Sequence, residues 1–186
     1  MVRRSWLLVP ASDAEQVSQS HLTDADVVVL DLVEFVAERD KPRARELMVD
    51  SIELAKAGGA EVFAQVDPEL LYADLRACVW PGLSGIVITQ LETVQQAAEA
   101  HELLGCLEEE RGILPDTLEI VGALETAKGN RDGYEIAVAS PRIWGLTLGR
   151  ADLVMDLRPE PSPESSSGPS QEIHLMQYLM QRLITL

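Results

Sequence analysis

Positive charge is scarce in this sequence. Fifteen Lys and Arg stand against 31 Asp and Glu, a formal net charge of −16 at pH 7. That balance argues against nucleic acid, whose phosphates need cationic partners, and against an anionic membrane surface. An anionic small molecule stays admissible, because a bound cation can supply local positive charge. Long apolar runs are missing too: none reaches the roughly 18 residues of a membrane-spanning helix. The N-terminal MVRRSWLLVPAS lacks the longer apolar core and small-residue cleavage site of a secretory signal, so SWLLVP (5–10) reads as a first strand. Cysteine is nearly absent. Cys78 and Cys106 have neither metal-type spacing nor a disulfide framework around them, and read as two buried free thiols of a cytoplasmic protein. No G-x-G-x-x-G turn follows the first strand, which weakens a dinucleotide-binding reading.

What is present is an alternating pattern in 186 residues of 46% hydrophobic content, enough for one domain with a real core. Apolar, β-branched runs recur at 5–10, 25–33 (ADVVVLDLV), 60–66 (AEVFAQV), 85–89 (GIVIT), 119–125 (EIVGALE) and 142–149 (RIWGLTLG). Helical patterns lie between them. One opens on Ser12 as N-cap with Glu15 at capping-box spacing, and another closes on Gly58-Gly59. Strand–helix alternation predicts a parallel sheet with helices outside. Six such units fit an open doubly wound sheet or part of a closed barrel, and periodicity does not separate the two. The predicted organisation is a β/α domain over 1–157, a Pro/Ser/Glu-rich flexible loop over 158–172 and a terminal helix over 173–186 that packs on the domain.

In parallel α/β folds, chemistry sits at the carboxyl ends of the strands. Those ends carry Asp31 and Glu34, Gln65 and Asp67, Gln90 and Glu92, Glu125, and Asp152. Gathered carboxylates stay ionised when something positive holds them, and a hard divalent cation does so. The competing reading makes each acid a helix cap or first-turn residue. The three histidines (His21, His101, His174) fall on predicted helices and suggest no catalytic imidazole. Glu108-Glu109-Glu110 reads as a solvated helix face, and Trp6, Trp80 and Trp144 as packing residues.

RRSWLLVPAS, ADVVVLDLVEFV…KPRAR, GIVITQLE, IVGALETAKG and LTLGRADL, in this order, resemble the citrate lyase β-subunit-like branch of the HpcH/HpaI aldolase family over residues 3 to about 157. The resemblance implies a TIM-barrel-like (β/α)8 fold, here truncated to about six β/α units. It also implies Mg2+ and the making or breaking of carbon–carbon bonds between a 2-oxo acid and an acyl-CoA. Glu125 matches the glutamate of I-E-T-A-x-G and Asp152 the aspartate of F-G-x-x-D, both metal ligands in the family. Asp31 and Glu34 would frame the catalytic rim and Gln65 would face the substrate. Backbone N–H groups from Gly149 to Asp152, that of Ala151 among them, would hold the substrate carboxylate.

The sequence also departs from the family pattern. Val33 and Glu34 replace an acid pair, Gln65 stands where an arginine contacts the oxo acid, and Gln90 stands where L-P-K has lysine. Two lost cations lower the case for a doubly anionic substrate. Six units in place of eight leave strand edges open, which implies a homo-oligomer or a partner subunit closing the barrel. The readings are therefore a Mg2+-dependent lyase-like protein, or a catalytically silent interaction subunit of the same descent.

Overall fold

A computed structural model describes residues 2–149 together with 153, 155 and 156. The 158–172 loop, the 173–186 helix, Ala151 and Asp152 lie outside the described residues. Six parallel strands form one sheet in simple sequence order. They are β1 (Trp6–Pro10), β2 (Val27–Asp31), β3 (Glu61–Val66), β4 (Gly85–Ile88), β5 (Glu119–Leu124) and β6 (Ile143–Leu148). Helices α1 (Ala14–Gln19), α2 (Lys41–Lys56), α3 (Leu71–Cys78), α4 (Val94–Glu110), α5 (Ala127–Arg131) and α6 (Gly133–Ala137) connect them. Among the described residues no helix is long and apolar enough to cross a membrane.

The period-2 geometry of the strands divides their side chains between two layers. Val28, Leu30, Val62, Ala64, Val66, Ile86 and Ile88 point outward and pack with Met48, Ile52, Leu75 and Leu104 of the helices. Val27, Val29, Phe63, Val87, Val121 and Ala123 point inward with Trp6. Burial on both faces explains why β2 is apolar without alternation. Gly85 marks where the inner layer is tightest: a Cβ there would lie 2.5 Å from both the Glu119 carbonyl oxygen and the Phe63 ring.

The sheet curls but does not close among the described residues: β1 pairs with β2 and β6 with β5. A register shift between Ile120 and Val121 leaves Trp144 as an extra residue on β6. Its ring reaches toward the other edge, 6.3 Å from that of Trp6. At the amino end of the strands, Arg3 pairs with Glu61 and Glu119 and lies over the Phe63 and Trp144 rings.

Three local expectations need correction. The N-cap of α1 is Asp13, not Ser12, and its carboxylate accepts the Glu15 and Gln16 N–H groups. Cys78 is buried as expected, but Cys106 is exposed. Glu108 is not a solvated residue. Its side chain is fully buried, pairs with Arg142 at 2.6 Å, and accepts the N–H groups of Asp116, Thr117 and Leu118. The bond geometry explains this: α4 must be tied to the segment entering β5, and one carboxylate serves three backbone donors and a guanidinium.

Candidate active site

The carboxyl ends of the strands surround the mouth of a cavity of about 400 Å3 inside the curled sheet. Its lining includes Gln65, Glu125, Thr147 and Gly149 toward the carboxyl ends of the strands, and Arg3, Trp6 and Trp144 toward their amino ends. Glu125 follows β5 directly and is 6% exposed. Its Oε2 accepts the Gln90 N–H at 2.9 Å. Gln90 reaches that position with φ 46, in the left-handed region that non-glycine residues seldom occupy. Gly149 follows β6, and its N–H donates to the Leu124 carbonyl at 3.3 Å. A Cβ on Gly149 would collide with Cγ of Glu125 and stand 2.6 Å from its Oε1. Glycine here is a steric requirement of the carboxylate next to it, not of backbone freedom.

Gln65 is the inward residue at the end of β3, 4% exposed and in register with Asp31. Its Nε2 donates to Glu34 Oε1 at 2.9 Å. Glu34 sits on the exposed turn after β2. That turn is held by Asp31, which is fully buried and whose carboxylate accepts the N–H groups of Val33, Glu34 and Phe35. Asp31 thus acts on the rim through the backbone of Glu34 and does not line the cavity.

The remaining rim acids are engaged structurally. Asp67 accepts the Glu69 N–H and lies 3.7 Å from Lys41. Lys41 also pairs with Glu38, and that hydrogen bond holds its ammonium above the usual lysine range. Glu92 pairs with Lys128 at 3.2 Å. Behind them Asp74 accepts from Arg45 and from the Asp67 N–H, though burial still raises its carboxyl above the ordinary value. Of the residues expected at the site, Gln65 and Glu125 line one cavity, Glu34 bonds Gln65 from the turn after β2 without lining the cavity, and Asp31 braces that turn. Sequence reading alone missed the contributions of Gln90, through its N–H, and Gly149, through its missing side chain.

The HpcH/HpaI aldolase/citrate lyase family model matches residues 4–168. The chain belongs to this family. Its relatives include citrate lyase subunit beta of Escherichia coli K12, 32% identical over 167 residues. That match covers 88% of this chain and 55% of the relative. A (3S)-malyl-CoA thioesterase of Cereibacter sphaeroides is 32% identical over 157 residues, covering 83% and 51%. The chain therefore spans about half the length of the curated relatives it matches. Solved structures agree on the TIM-barrel-like fold. Haloferax volcanii malate synthase superposes with a TM-score of 0.74 at 17% identity, covering 97% of this chain and 60% of that one. CitE of Mycobacterium tuberculosis, in complex with magnesium and pyruvate, gives 0.67 at 22% identity, covering 100% and 70%. The six strands of the described residues correspond to part of a barrel of this type.

Proposed function

We propose that the chain binds Mg2+ and a 2-oxo acid at this mouth and acts as a slow carbon–carbon lyase of the aldol or Claisen type. Its substrate would be a hydroxyacyl-CoA or a 2-oxo acid adduct. The observation that carries the reading is the meeting of Glu125, Gly149 and Gln65 on one cavity in a chain of this family. Glu125 and Asp152 would hold the ion. The donor chemistry suits it, since Mg2+ takes one or two carboxylates and leaves its other positions to water and substrate oxygens. The buried Glu125 carboxylate is also already oriented by the Gln90 N–H.

When bound, the ion supplies Lewis-acid polarisation of the 2-oxo carbonyl. The chain's own residues do the rest. Backbone N–H groups of residues 150–152, Ala151 included, would bind the substrate carboxylate, since that of Gly149 is donated to the Leu124 carbonyl. Glu34, hydrogen-bonded to Gln65 of the cavity lining, would be the proton acceptor for the substrate hydroxyl, and Asp31 fixes the turn that presents it. Support for the ligand classes comes from CitE of M. tuberculosis, solved in complex with magnesium, acetoacetate and coenzyme A. With an amide at position 65 instead of a guanidinium, turnover is expected to be slower on the order of 10²–10³-fold than with arginine there.

The test is cleavage of citryl-CoA and malyl-CoA with Mg2+ present. Slow, Mg2+-dependent turnover that rises about tenfold or more in Gln65→Arg is the expected result. No turnover in either protein favours the second reading, a silent interaction subunit. That reading is supported by the two strand edges left unpaired among the described residues and by the half-exposed Trp144. It expects a stable homo-oligomer or a partner-bound complex on sizing with light scattering.

A further inference from the structure

We infer that the interior of the curled sheet is a channel for an aliphatic chain, so that the site takes 2-oxo acids carrying a medium-length apolar tail. This rests on the metal and 2-oxo acid reading above, which places the head group, and it names the substrate class.

Strand register lays down the walls of the channel. Inward residues recur at every second position of a strand. On β5 they are Val121 and Ala123, and Glu125 follows in the same line. From Val121 to Glu125 is about 13 Å of extended chain, at about 3.3 Å per residue. Val87 of β4 pairs with Val121, and Leu8 of β1 pairs with Val29 of β2. All of these side chains line one cavity together with Gln65 and Glu125. The described lining is therefore polar where the strands end and aliphatic along their length. At the amino ends it turns aromatic, and Arg3 there is held by Glu61 and Glu119.

The interior has room for a tail. Its volume is about 400 Å3, whereas an apolar cavity of about 150 Å3 already takes up benzene. Gly145 on β6 pairs with Val121 and lines the same cavity, and an added Cβ there would meet no atom within 4 Å. At Gly85 and Gly122 the same atom would collide with its neighbours. A closed barrel fills its interior with layers of side chains, and among the described residues the layer is incomplete on the β6 side. Part of the lining also stays open to water, with Leu8 37% and Trp144 52% exposed. A tail running from the Glu125 end toward Trp144 would cover this surface. Each methylene fully removed from water there strengthens binding about fourfold.

The experiment titrates pyruvate, 2-oxopentanoate and 2-oxooctanoate into the full chain, with and without saturating Mg2+. Binding is followed by calorimetry and by tryptophan fluorescence, since Trp6 and Trp144 line the cavity. With Mg2+, affinity is expected to rise along the series, 2-oxooctanoate binding about tenfold or more tightly than pyruvate. Gly145→Val, which places a side chain in the empty space, is expected to remove most of that gain. Equal affinities for the three acids in wild type overturn the inference, whether or not Gly145→Val folds. So does a gain that folded Gly145→Val leaves intact. A gain with chain length that is the same without Mg2+ supports the channel and removes the metal reading above. Binding of none of the acids removes both.

Discussion

Glu108→Ala is expected to lower the unfolding free energy at neutral pH by about 3–5 kcal/mol, the usual cost of breaking a buried ion pair from one side. Against a typical total of about 5–15 kcal/mol, that is a large share. The cause is local. The Arg142 side chain is 3% exposed and would keep its charge after Glu108 is gone. Asp116, its other acidic neighbour at 2.9 Å, is largely exposed and screened by water. The N–H groups of Asp116, Thr117 and Leu118 would lose their acceptor as well. Urea denaturation at pH 7 measures the loss. The pH dependence follows from the direction of the Glu108 shift. Burial pushes its carboxyl up, but Arg142 and the backbone N–H groups outweigh burial and hold it below the ordinary 4.5. A carboxyl depressed in the folded state stabilises fully above its unfolded value and loses that stabilisation as pH falls through the folded one. The gap between wild type and Glu108→Ala should therefore be complete at neutral pH and shrink below about pH 4.5.

Gly149→Ala is expected to weaken Mg2+ binding about 10- to 100-fold, the range seen when groups that orient metal ligands are disturbed. One methyl group has this effect because of where it lands. It would stand 2.6 Å from Glu125 Oε1 and 2.7 Å from Cδ, so the carboxylate must swing away or the end of β6 must shift. Either movement also strains the Gln90 N–H bond to Oε2. The cost in stability should stay within the about 1–3 kcal/mol of ordinary overpacking. Loss of metal binding would then exceed what partial unfolding explains. Calorimetric Mg2+ titration alongside thermal melts separates the two quantities.

Much of this architecture is legible in the sequence. The uninterrupted apolar runs at 27–30 and 120–124 fixed strands buried on both faces, and strand–helix alternation fixed parallel pairing. The carboxyl-end rule points to Glu34, Gln65 and Glu125; Gln65 and Glu125 line the cavity, and Glu34 reaches it through its bond to Gln65. What escaped was anything decided by a partner remote in the chain. Glu108 sits in a run of three glutamates that looks solvated, and its burial depends on Arg142, 34 residues on. Gln65 looked like the mere loss of a cation, and its pairing with Glu34 is set by strand register across 31 residues. In sequence Asp31 looks like a rim acid, but the turn after β2 offers it three backbone N–H groups, so its carboxylate braces the turn. Gly149 carries no periodic signal, because what matters is the room it leaves for Glu125.

The central claim is that a carboxylate after β5 and one following β6 hold a single divalent ion to which a 2-oxo acid adds its own oxygens. Calorimetric titration of Mg2+ into wild type and Glu125→Gln, each with and without glyoxylate, tests it most directly. One Mg2+ per wild-type chain, bound more tightly when glyoxylate is present and lost in Glu125→Gln, is the expected result. Identical titrations for the two proteins, or no effect of glyoxylate on either, would contradict it.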